Sequence, residues 1–140
     1  AWQGKRLPTE AEFERAAKGM EEDDQGFPYG RDRPTCSEAV FFTNRALCED
    51  KPAEVGSRSP AGDSAEGVSD LAGNVAEWVA DRYGPYADEA QTDPTGPTTG
   101  EWRVLRGGGF RDSSDGLRTM ARIGADPYSR WEGIGFRCAL

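Results

Sequence analysis

The chain has 140 residues, enough for one domain around one core. Its formal net charge of −8 is the wrong sign for a surface that tracks phosphates, and argues against a nucleic-acid partner. Histidine is absent, which removes imidazole metal ligands and Ser-His or Cys-His nucleophile pairs, and no apolar run reaches the roughly 18 residues of a membrane-inserted helix.

In chain order, the first predicted element is a helix over Glu10 to Lys18. Thr9 is its N-cap and Glu12 completes a capping box, because each side chain satisfies the other residue's orphan backbone N–H. Phe13, Ala16 and Ala17 fall on one face, and Gly19 ends the helix. An acidic surface loop follows over residues 21–26, then the turn Phe27-Pro28-Tyr29-Gly30. From Asp32 to Asp70 the chain reads as loop, with Val40-Phe41-Phe42 as a short strand. A second turn-rich connector over residues 92–100 precedes a strand at Trp102 to Leu105. Gly107-Gly108-Gly109 then permits a close backbone approach. Leu117 to Ile123 and Gly133 to Ala139 are the remaining strand candidates. With 18 glycines and 9 prolines, the whole reads as an irregular, loop-rich α+β domain with few helices.

Three blocks carry a family resemblance: GKRLPTEAEFERAAKG from Gly4, GNVAEWVADRYGPY from Gly73, and RVLRGGGF from Arg103 with the closing GFRCAL. Together they resemble the formylglycine-generating enzyme (sulfatase-modifying factor) family. The resemblance implies a single C-type-lectin-like domain over 1–140, N-terminally short relative to the family. Its small antiparallel sheet is expected to hold the RVLRGG and GFRC segments as neighbouring strands. The family's enzymes carry paired reactive cysteines shortly after the RGG turn. Here that segment runs Phe110-Arg111-Asp112-Ser113-Ser114-Asp115-Gly116-Leu117, without a thiol. The fold is therefore expected without the chemistry. The missing histidines also argue against the related iron-dependent sulfoxide synthases. Some family members pair a cysteine at the GFRC position with one lying before the GKRLPTE block. Cys138 is accordingly expected as a reduced, buried thiol unless Cys36 or Cys48 reaches it.

The resemblance also implies one structural calcium ion, held by Asp70, the carbonyls of Gly73 and Val75, and Glu77. Hard cations take several oxygens at about 2.4 Å, and two carboxylates supply the neutralising charge. The competing reading is that Asp70 caps a turn and Glu77 pairs with an arginine. A second family calcium site, aligned with Cys36 to Val40, is expected to be lost. Arg106, Arg118, Arg122 and Arg137 read as buried anchors bonded to carbonyls and carboxylates, and Trp78 and Trp102 as core.

The residues between these anchors mix aromatic, small and charged side chains, as a paratope does. They are Phe110, Arg111, Asp112, Ser113, Ser114, Asp115, Ile123, Gly124, Ala125, Tyr128, Ser129, Trp131, Glu132 and Gly133. They lie where variable proteins of diversity-generating retroelements, which share this fold, carry their mutagenised positions. The expectation is a non-catalytic module that binds a protein or cell-surface ligand, with Phe110, Tyr128 and Trp131 exposed on one face. An ordinary polar surface with aromatics filling gaps is the plainer alternative. An enzyme that oxidises a substrate cysteine, and an accessory domain of a larger protein, are the other two classes.

Overall fold

A computed structural model describes residues 4–19 and 26–140. The expected acidic loop lies almost wholly outside the described residues. The helix, α1, spans Glu10–Lys18 and shows the capping box in full, with Glu12 N–H donating to Thr9 Oγ1 and Thr9 N–H to Glu12 Oε2. Gly19 ends it at φ +73°, its N–H bonded to Arg15 O. Arg6 clamps Glu12 through two bonds of 2.6 Å, so that carboxyl titrates near 2, the arginine bond lowering it most.

Four strands form one mixed sheet in the order β3-β2-β1-β4: β1 Ala76–Arg82, β2 Arg103–Arg106, β3 Arg122–Ala125 and β4 Ile134–Phe136. Pairs β1–β2 and β2–β3 are antiparallel, and β4 runs parallel to β1. The RVLRGG and GFRC strands are thus not neighbours, because β1 lies between them. The expected strand over Leu117 to Ile123 is instead a 3-10 turn at Ser114–Leu117 followed by β3. Val40-Phe41-Phe42 is reduced to bridges from Phe42 to Leu47 and Ser113.

Alternation along β1 sorts the sheet's two faces. Val79 and Val104 join Phe13, Ala17 and Leu71 in a core beneath α1. On the other face Ala76, Leu105 and Ala125 pack with Trp78 and Ile134. A third cluster sits under the long loops, around Phe27, Phe41, Ala72 and Leu117.

Charge locks α1 to the sheet. The Arg106 side chain has no solvent exposure and donates to Glu10 at 3.0 Å, to Glu14 at 3.1 Å and to the Thr119 carbonyl at 2.5 Å. Arg122 reaches both Glu10 oxygens at 2.8 Å and lies between the rings of Tyr83 and Tyr86. Asp81 accepts the Glu10 N–H at 2.7 Å, and burial pushes its carboxyl above the ordinary range. Of the expected buried arginine anchors, Arg106 holds in full, and Arg122 and Arg137 hold half-buried, each bonded to a carboxylate and a carbonyl. Arg118 does not: it is exposed, with its guanidinium over the Phe27 ring. Trp102 is 54% exposed rather than core, and Trp78 is half-buried. Cys36 pairs with Cys48, which leaves Cys138 a free thiol that is exposed rather than buried.

Two substitutions separate the roles of the buried carboxylates. Glu10→Ala strands Arg106 and should cost about 3–5 kcal/mol in urea unfolding. Asp81→Asn keeps an oxygen for the Glu10 N–H. A carboxyl whose folded pKa is raised favours the fold below its unfolded pKa and loses that contribution as pH rises. Asp81→Asn should therefore be neutral or stabilising at pH 7, with its advantage vanishing in acid.

Candidate functional site

Two glycines set the site's geometry. Gly107 (φ +84°) passes the Leu71 carbonyl and Gly108 (φ +67°) the Gly116 carbonyl so closely that a Cβ would stand 2.9 and 2.8 Å from those oxygens. The chain then turns at Gly109, whose N–H is held by Asp112 Oδ2 at 2.8 Å, while Phe110 N–H bonds to Asn74 O. Phe42 N–H ties down the Asp112 carbonyl. On the C-terminal side, Asp126 holds Tyr128 N–H at 2.8 Å, and the Gly133 carbonyl accepts Ala76 N–H from β1. Both loops are pinned at their bases.

Between them lies a cavity of about 310 Å³, floored by Ala76, Leu105 and Phe110 and walled by Ile123 and Trp131. Arg111 and Glu132 close its rim with an ion pair at 2.6 Å, and Arg111 also lies over the Phe110 ring. The pair is solvent-exposed and worth at most about 1 kcal/mol.

The structure divides the predicted surface. Arg111, Asp115, Ile123, Tyr128, Trp131 and Glu132 are exposed, and Asp112, Ser113, Gly124, Ser129 and Gly133 are half-buried. Phe110, Ser114 and Ala125 correct the expectation: each is buried, and Phe110 completely. Phe110 follows directly from the glycine turn, which aims it inward under the cavity. Tyr128 at 84% and Trp131 at 59% exposure are the outward aromatics. Trp78 and Phe136, absent from the predicted surface, share a depression with Trp131. β4 falls within the strand expected over Gly133 to Ala139, whereas the position of Trp78 on this face depends on the alternation of β1, a segment in which the expected ligand Glu77 stands.

The calcium set is arranged differently. Arg137 donates to both Glu77 oxygens, at 2.5 and 2.7 Å, and to the Ser69 and Asp70 carbonyls. The Asp70 carboxylate turns away to accept Gly56 N–H at 2.7 Å. Among the described residues, no three carboxylate or thiol groups converge to hold a metal. With a guanidinium already neutralising Glu77, and Asp70 engaged elsewhere, Asp70, Gly73, Val75 and Glu77 do not fit the ion as they stand.

The whole chain, residues 1–140, matches the sulfatase-modifying factor enzyme 1-like domain family. It is 42% identical to the formylglycine-generating enzyme of Streptomyces coelicolor over 99% of its own length and 47% of that protein's. It is 41% identical to the serine/threonine-protein kinase pkn1 of Chlamydia pneumoniae, again over 99% of this chain but 21% of the kinase. Among solved structures, Treponema denticola variable protein 1 superposes with a TM-score of 0.80 at 35% identity, covering 96% of this chain and 46% of that one. This chain belongs to the sulfatase-modifying factor domain family, with its C-type-lectin-like fold. It spans about half or less of these relatives. Curated family members include enzymes and proteins described as inactive.

Since Arg137 already serves Glu77, melting in calcium and in chelator should coincide, while Arg137→Ala should be destabilising in both. A calcium-dependent rise that Glu77→Gln abolishes would instead establish the ion, which at 100 times its dissociation constant contributes about 2.7 kcal/mol.

Proposed function

We propose that this domain is a non-catalytic ligand-binding module that displays its C-terminal loops to a protein or cell-surface ligand. A variable protein of a diversity-generating retroelement is the most specific form of that reading. The observation that carries it is the separation of surface from framework. Ile123, Trp131, Arg111 and Glu132 project around one open cavity with Phe110 buried at its floor; Tyr128 is exposed on the adjoining loop, and Ser114 and Ala125 are buried. Clustered exposed aromatics over a rigid base are the usual anatomy of a recognition site. The likeness to a variable protein supports the same reading.

The segment from Phe110 to Leu117 has no cysteine. Cys36 and Cys48 are bonded to each other, and Cys138 is the free thiol among the described residues. A thiol-based oxidation of a substrate cysteine lacks its paired nucleophiles here. The display role also suits a domain carried within a longer chain, as the kinase relative illustrates.

Two tests apply. Incubation with a cysteine-containing peptide in air should yield no aldehyde by mass spectrometry, and aldehyde formation would reinstate the enzyme. In chemical unfolding, Tyr128→Ala and Trp131→Ala should stay within about 1 kcal/mol of the parent, whereas Phe110→Ala should cost about 3–5 kcal/mol. Equal, large losses at all three would make the outward rings core and defeat the display reading. A neighbouring reverse transcriptase gene, with a near-copy of the 3′ coding sequence differing at adenines, would establish diversification.

A further inference from the structure

On the sheet face opposite α1, strand register places Phe136, Trp78, Leu105 and Ile123 in one cross-strand row. Two depressions, of about 450 and 580 Å³, share Trp78 and Phe136 from this row. Trp131 and Glu132 line both the smaller of these and the cavity over Phe110. A continuous groove thus runs from Leu7, Arg103 and Pro127, past Trp78 and Phe136, to the loop surface. Phe136, at the sheet edge, is 64% exposed. Apolar surface contiguous over several strands and bounded by charged residues marks an interaction site.

The charges along the groove indicate what it takes. Arg103 donates to the Ala80 carbonyl at 2.7 Å and has no carboxylate partner among the described residues. Arg130, bordering the middle hollow, has no ion pair there either. The one carboxylate in the groove, Glu132, is neutralised by Arg111. Asp126 is bonded to Tyr128 N–H and does not line the hollows. In a chain of net charge −8, the uncompensated charges of this groove are both positive. Elsewhere the surface repels an acidic partner, so the groove is where such a partner docks and is oriented.

We propose that the groove takes an acidic polypeptide segment of the partner. An aromatic or leucine-like side chain seats against Trp78 and Phe136, and flanking carboxylates meet Arg103 and Arg130. The proposal rests on the ligand-binding reading above and extends it to residues outside the C-terminal loops.

The experiment is a random peptide array probed with the labelled domain. Bound peptides should be enriched in Asp and Glu beside an aromatic or branched aliphatic residue, with binding weakened by salt. Arg103→Glu together with Arg130→Glu should lower acidic-peptide binding about tenfold, the scale of two lost charge contacts, and shift selection toward basic peptides. Phe136→Ala should weaken binding without changing the charge preference. No retained peptides, a basic or charge-neutral selection, or a preference unmoved by the double variant would each overturn the proposal. Tyr128→Ala, at the loop and outside the groove, separates the two readings. Binding lost there and unchanged in the groove variants would leave the loop surface standing and remove the groove.

Discussion

Everything in this fold hangs on the buried contact between Glu10 and the guanidinium groups of Arg106 and Arg122. A nine-residue helix is too short to hold itself in water. The strands it covers contribute only Val79 and Val104 to the core beneath it. The charge lattice supplies the missing specificity, because each buried group leaves an uncompensated charge if any partner moves. Glu10 takes Arg106, Arg122 and the Tyr86 hydroxyl, and its own N–H is taken by Asp81. The Glu10 carboxylate thereby ties α1 to β2, β3 and the loop after β1, and its backbone N–H ties α1 to β1.

From that anchor the functional face follows by short steps. Arg106 ends β2, and the glycine turn begins at the next residue. Gly107 and Gly108 bring the backbone against the Leu71 and Gly116 carbonyls, and Phe110 drops into the interior. Arg122 opens β3, which leads directly into the 126–133 loop. Both loops of the proposed surface therefore spring from residues adjacent to the lattice. This explains how exposed aromatics can sit on irregular backbone and still hold a defined geometry. A second guanidinium clamp, Arg137 on Glu77, fixes β4 beside β1.

Much of this was legible in the sequence, and the failures share a cause. The helix and its caps were readable because Thr9, Glu12 and Gly19 each have a local hydrogen-bonding reason to be there. Arg106, Arg122 and Arg137 were readable as anchors, though not their partners, which lie up to 112 residues away. β1 was missed because its α1-facing positions include Glu77 and Asp81, which disguise the alternation, and because its alanines are weak strand formers. Without β1, neither the strand order nor the groove around Trp78 could be placed. Phe110 was misread as exposed because its direction depends on the conformation of three glycines, which composition does not specify. Arg118 was placed inward with the strand expected over Leu117 to Ile123, but it caps the 3-10 turn at Ser114–Leu117 and faces solvent, as does Trp102 just before β2.

The central claim is that a rigid, charge-locked framework carries a surface that contributes little to folding. Randomising Ile123, Tyr128, Arg130 and Trp131 together and measuring the melting temperatures of many clones tests it most directly. The account predicts that most clones fold and melt close to the parent, while a matched library at Phe110, Ser114 and Ala125 is mostly unfolded. Comparable loss of folding in both libraries would contradict it.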